Sequence, residues 1–176
     1  MLDDNLDCMT QIINYFSQKG YYIQLSTKKK ISWEWLDKIN KLLKFENQLN
    51  IYVSIPTISC SSQMEHKADS VEERITNFEY CSDDHKIKMY LYIKPFLDGI
   101  TEQDIDNYIE LVQKYSMDVI VGERFYTNLH KGHSIKVGKN IMYEMDSTAI
   151  MAFVERISKI GEVYKHSTEP IRKYML

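Results

Sequence analysis

The sequence predicts an α/β fold, a partial (β/α) barrel of about four parallel strands, and three observations carry that reading. Apolar-rich runs with β-branched and aromatic residues alternate with segments of helical period from residue 3 to 123. The connections contain no stretch that reads as a linker, so the units should share one sheet with parallel pairing and right-handed crossovers. The chain has 176 residues, enough for one real core but short of the roughly 250 of a complete eight-fold barrel.

Taken in order, Leu6, Met9, Ile12, Ile13 and Phe16 recur at helical spacing, and Gly20 is placed to end that first helix. "YYIQLST" (21–27) is a strand that runs into Lys28-Lys29-Lys30. "SWEWLDKINKLLKF" (32–45) returns to helical period, with Ser32 as cap and Trp35, Leu36, Ile39, Leu42 and Leu43 on one side. "LNIYVSIPT" (49–57) is the second strand, followed by a polar loop. Ser70 and Glu73 form a capping-box pattern that starts a short helix. "IKMYLYIK" (87–94) is the third strand. Thr101 precedes a helix in which Ile105, Tyr108, Ile109 and Val112 share a face, and "MDVIVGE" (117–123) is a compact buried strand. After residue 123 the rhythm changes to a hairpin (134–145), a helix (146–161) and an extended segment (162–170). The expected organisation is therefore a half-barrel over 1–123 with an α+β extension over 124–176 packed on it.

Hydrophobic content of 44% with 27% charged residues is that of an ordinary globular protein. A net charge of −3 gives no electrostatic case for nucleic acid as a partner. No run approaches the ~18 apolar residues of a membrane span, and the acidic N-terminus is unlike a signal peptide, so the expected location is the cytoplasm. Cys8, Cys60 and Cys81 are separated by 51 and 20 residues and form neither a disulfide framework nor a local metal motif. His130 and His133 flank Gly132, a poor setting for a paired-histidine metal site.

In a parallel sheet, ligands collect at the carboxyl ends of the strands. Those ends carry Ser26, Thr27 and Lys28; Ser54 to Thr57; Lys94 and Pro95; and Gly122 to Arg124. This is a rim suited to a polar, partly charged small molecule, with no complete catalytic triad. Each residue also has a structural role open to it. Arg74 is placed for a surface i,i+4 pair. Ser54 and Thr57 could satisfy a turn, and Lys94 with Glu123 could form a plain salt bridge.

The segments "YYIQLSTK", "LNIYVSIPT", "SVEERITNFEYC" and "KIKMYLYIKPFLDGITEQDIDNYIELVQKYSMDVIVGE", in that order, resemble the C-terminal half of the core domain of radical S-adenosylmethionine enzymes. The likeness is nearest to the group that includes spore photoproduct lyase-like proteins, and it spans about residues 10 to 123. It implies S-adenosylmethionine as cofactor, with Ser54 and Thr57 facing its nucleoside or carboxylate and Lys28 at the preceding strand end. It also implies Arg74 near the carboxylate and Tyr92, Lys94 and Pro95 in the adenine-side motif, while Glu123 is a candidate from its place at the fourth strand end, beside Lys94. That motif's glycines are replaced here, and only Gly99 and Glu102 echo it. The family's CxxxCxxC loop, whose thiolates hold a [4Fe–4S] cluster, has no counterpart in the sequence. The resemblance therefore implies a split enzyme, in which a partner polypeptide supplies the cluster and completes the barrel. The alternative is a cluster-free binding or interaction module that pairs with a second copy of itself, and a remnant without activity ranks last.

Overall fold

The computed structural model describes residues 3–81, 84–122, 134–137, 140–143 and 148–174. The chain forms an open α/β sheet of five parallel strands with alternating helices. Helix α1 (Asp3–Gln18) leads into β1 (Ile23–Thr27), α2 (Trp33–Asn40) and β2 (Leu49–Ser54). Two short helices, α3 (Ser61–Met64) and α4 (Val71–Ile75), precede β3 (Ile87–Ile93). Then come α5 (Ile105–Tyr115), β4 (Asp118–Val121), the antiparallel pair β5 (Ser134–Val137) and β6 (Asn140–Tyr143), α6 (Thr148–Ile157), β7 (Val163–Tyr164) and α7 (Glu169–Arg172). The sheet order is β1-β2-β3-β4-β7, and it is not closed. The fifth strand, β7, pairs parallel with β4 and lies in the segment read from sequence as merely extended. The expected boundary at 123/124 falls at the edge of the described residues.

The chain divides into two compact units, Met1–Val53 with Lys67–Tyr90, and Ser54–His66 with Leu91–Leu176. In the first, β1 and β2 pair in register from Ile23↔Leu49 to Thr27↔Val53. Successive side chains alternate between faces, so Ile23 and Leu25 share a face with Leu49, Ile51 and Val53. Gln24 and Ser26 share the opposite face with Asn50 and Tyr52. The second face is polar and aromatic: the Gln24 amide donates to the Tyr52 hydroxyl (2.7 Å), and the Tyr52 and Tyr90 rings meet edge to face at 5.4 Å. The Lys88 ammonium stands over the Tyr90 ring at 5.2 Å. Right-handed crossovers between sequential parallel neighbours place the connecting helices on one side of the strands. The apolar face matches the buried side of α2, made by Trp35, Leu36 and Ile39.

Two local departures have identifiable causes. The helical period of residues 32–45 ends as α-helix at Asn40, because side chains take over the next backbone groups. Ser17 Oγ donates to the Leu42 carbonyl (2.7 Å), and Gln48 Oε1 accepts from the Lys44 N–H (2.7 Å). Gln48 is fully buried with its amide engaged: its Oε1, 3.1 Å from Ser17 Oγ, shares that hydroxyl proton with the Leu42 carbonyl, and its NH2 donates to the carbonyls of Ser17 and Tyr21. Replacing it by alanine should cost about 2 kcal/mol, since buried groups then lose their partners; urea denaturation would measure this. The other departure is in α1, where Ile13 is buried but Ile12 and Phe16, expected on its covered side, are 44% and 42% exposed. Gly20 ends that helix as expected, with φ +78, a conformation glycine adopts without strain. The α4 capping box is complete: Ser70 Oγ accepts from the Glu73 N–H, and the Glu73 carboxylate accepts from the Ser70 N–H.

In the second unit, Phe153 of α6 is buried edge to face against Phe96 (5.3 Å) and Tyr108 of α5 (5.6 Å), which fixes one helix on the other.

Candidate functional site

The sequence-derived candidates divide between the two units. Lys28 and Arg74 belong to the first. Lys28 is exposed, and its carbonyl accepts from the Asp69 N–H at 3.0 Å. The lysine loop after β1 is built rather than loose. Asp69 binds the Lys29 ammonium (2.7 Å) and the Lys30 N–H (2.8 Å), while buried Asn77 accepts from the Ile31 N–H and donates to the Lys29 carbonyl. Burial opposes ionisation of Asp69, but the Lys29 ammonium and the Lys30 N–H outweigh it and hold the carboxyl below the usual range. Arg74 is not a surface arginine: it is 0% exposed, the bulkiest of the fully buried side chains, and its Nε donates to the Ser70 carbonyl at 3.4 Å.

Ser54, Thr57, Tyr92 and Lys94 belong to the second unit. Buried Ser54 donates to the Lys94 carbonyl at 3.4 Å, and the Tyr92 carbonyl accepts from the Ile55 N–H at 3.0 Å. Tyr92 and Lys94 are half-buried. The Lys94–Pro95 peptide is cis. The Lys94 stem lies directly over Gly122, where any Cβ would collide with Lys94 Cγ and Cδ. Only a residue without a side chain lets Lys94 lie along β4 in this way. Ser54, Lys94 and Gly122 are thus brought together at the strands' carboxyl ends. Glu123, and with it the Lys94–Glu123 pair, lies outside the described residues, as do His130 and His133.

The most densely bonded group of this unit was missed in the sequence. Asp104, 1% exposed, accepts from the Thr57 hydroxyl (2.8 Å), the Ile58 N–H (2.7 Å) and the Ser59 N–H (3.2 Å). Burial alone would raise its pKa, yet these bonds together with the Ser59 hydroxyl hold it below the ordinary aspartate value. Three and four residues to either side, the same segment grips the same loop. Buried Thr101 donates to the Pro56 carbonyl and accepts from the Leu97 N–H, and the Tyr108 hydroxyl donates to the Ile55 carbonyl (2.9 Å). Thr57 also accepts from the Cys60 N–H, so its hydroxyl is engaged as both donor and acceptor within the protein. A usable signal existed: Thr101 and Asp104 fall in phase with Ile105, Tyr108 and Val112, on the side a surface helix keeps apolar. Thr101→Val, which keeps the shape and removes both bonds, should cost about 1.5 kcal/mol, read from the denaturation midpoint at unchanged slope.

The donor sets limit the chemistry. Among the described residues no three His, Cys, Asp or Glu side chains gather as a metal would require. Cys8 and Cys81 are exposed and Cys60 is half-buried, each as a free thiol. These residues do not fit an iron–sulfur cluster, which needs grouped thiolates. A groove of about 520 Å³ in the second unit, lined by Val112, Ser116, Met117, Asp118 and Gly161 among others, lies at the start of β4. That is the opposite end of the strand from Gly122 and Lys94, so it is unrelated to the rim. Among the described residues no helix is long and apolar enough to cross a membrane. Comparison with family models, with curated proteins and with solved structures finds no match to this chain.

Proposed function

We propose that this chain is the later part of a (β/α) barrel of radical S-adenosylmethionine type, which works only when another polypeptide pairs along β1 and supplies the cluster. The observation that carries the reading is the strictly sequential order of parallel strands, β1-β2-β3-β4, with β1 outermost. Doubly wound sheets reverse their strand order at a switch point, whereas barrels add neighbours in sequence. An outermost strand also offers a template for a further strand. Alone, the chain lacks the thiolate set for reductive chemistry and should not cleave the cofactor. In the assembly, Ser54, Tyr92 and Lys94 would line the cofactor side of the rim, with Lys28, Thr57 and Arg74 as further positions implied by the resemblance and Glu123 as a strand-end candidate.

A second reading, a cluster-free module pairing with its own copy in the cytoplasm, is favoured by two specific features. The Lys94 stem fills the space over Gly122, and Tyr52 and Tyr90, 3% and 0% exposed, occupy their strand face. Either feature leaves less room for an adenine.

Anaerobic purification of the tagged chain from its native cells, with iron and co-purifying polypeptides measured together, separates the two. Iron with a CxxxCxxC-bearing partner supports the split enzyme. An iron-free homodimer defeats it and supports the binding module.

A further inference from the structure

The helix that precedes β1 is more apolar than the fold requires. Its contacts with the α2 segment run along one line: Asp7 pairs with Lys38 (3.5 Å), Thr10 accepts from the Trp35 indole (3.0 Å), and Ser17 donates to the Leu42 carbonyl. At about 100° per residue, Ile12, Tyr15 and Phe16 lie roughly half a turn away, on the opposite flank, with buried Ile13 between the two. Tyr15 is 55% exposed, and Tyr21, just ahead of β1, is 56% exposed. The rings form one ledge: Tyr15 meets Phe16 edge to face at 5.3 Å, and Phe16 meets Tyr21 at 5.9 Å.

We infer that this free flank of α1 and the outer edge of β1 form one seat for the partner, which presents a parallel strand to β1 and an apolar helix to Ile12, Tyr15 and Phe16. The inference rests on the incomplete-barrel reading and names the surface through which the barrel is completed. Topology selects the occupant. In a sheet wound in one direction, each crossover helix lies between the helices of its two neighbouring units. Helix α2 fills one side of α1, so a preceding unit would bring its helix to the other. Area agrees. Three aromatics about half exposed offer roughly 300 Å², well under the ~800 Å² per partner of a standard interface. The ledge is therefore too small to hold a partner alone and suits one component of a joint whose remainder is the strand edge. A second copy related by two-fold symmetry would instead set β1 antiparallel to itself, ending the winding rather than continuing it.

The test uses the full chain purified anaerobically from native cells with its cluster-bearing partner. Ile12→Glu with Tyr15→Glu should lower the recovered partner and the iron per chain at least tenfold, while Gln18→Glu, exposed next to the α2 side of the helix, leaves both unchanged. Because the double variant could fold poorly, alkylation of the wild-type complex gives an independent reading. Cys8, exposed on the same flank, should react at least tenfold more slowly in the complex than in the free chain, with Cys81 unaffected. Full retention of the partner by a folded double variant, or an unprotected Cys8, overturns the inference and leaves the split-enzyme reading intact. Absence of any cluster-bearing polypeptide from the wild-type preparation removes that reading, and the inference with it. A wild-type homodimer dispersed by the same two substitutions would assign the surface to a second copy and overturn the proposed occupant.

Discussion

Replacing Asp104 by alanine should destabilise the protein by about 4 kcal/mol, more than any other single change at the loop after β2. The carboxylate accepts from a hydroxyl and two backbone N–H groups of Thr57, Ile58 and Ser59 at a site 1% exposed. Its removal leaves the buried Thr57 hydroxyl and two part-buried N–H groups without that acceptor, at about 1–3 kcal/mol each before relaxation, the exposed Ser59 at the low end. For a chain of this size a loss of that order lowers the melting temperature by roughly 10 °C. Asp104→Asn keeps the shape but turns one acceptor oxygen into an NH2 donor facing donors, so it should recover only part of the loss. The pH dependence has a defined sign. The folded carboxyl is held below its usual value, so the stabilisation is complete above the unfolded value of about 3.9 and is lost as pH falls through the folded one. The gap between wild type and Asp104→Ala should stay constant from pH 7 to about 5 and narrow below about 4. A gap under about 1 kcal/mol at neutral pH would show that solvent replaces these bonds and that Asp104 does not hold the loop.

Asp104 also marks where sequence reasoning stops. The strand and helix alternation, the Ser70–Glu73 capping box and the stop at Gly20 are all local patterns, and each appears in the structure. Asp104 acts on Thr57, 47 residues away; its phase with Ile105, Tyr108 and Val112 sets it apart from the neighbouring solvated Asp106, which pairs with Arg156 at the surface, but no local pattern names the loop it grips. Gln48 is similar: three of its bonds reach back to Ser17 and Tyr21 and the fourth takes the Lys44 N–H, although the helical period continues to residue 45. The strand β7 has two residues and α3 and α7 four each, too few to show any period. For α1 the apolar positions were legible, but how many of them the fold covers is a property of its neighbours. The rim was legible as a set of strand ends. The placing of the Lys94 stem over Gly122 was not, because it depends on the spacing of two strands.

Arg74 allows a decisive separation of volume from charge. It is fully buried on α4, a five-residue helix held by its capping box and by the Asp69 and Asn77 contacts that order the adjoining loop. Arg74→Ala removes a side chain of large volume and strands the groups around its guanidinium, so a loss of about 3–5 kcal/mol is expected. Arg74→Met keeps most of the volume and carries no charge. Buried charges are often replaceable by apolar side chains of like size with little loss; if Arg74 serves packing alone, methionine should restore most of the stability. If the charge is required, methionine should be nearly as damaging as alanine, and the requirement then has to be located. On the proposed split-enzyme reading, thermal shift with S-adenosylmethionine on the partner-bound assembly does that. A ligand at a hundred times its dissociation constant adds about 2.7 kcal/mol, so wild type should gain several degrees. If Arg74 meets the cofactor's carboxylate, as the resemblance implies, the methionine variant should gain none. An equal gain by both would place the charge in the architecture of α4 and its loop, leaving the rim at Ser54 and Lys94 as the part of the candidate site still able to hold a ligand.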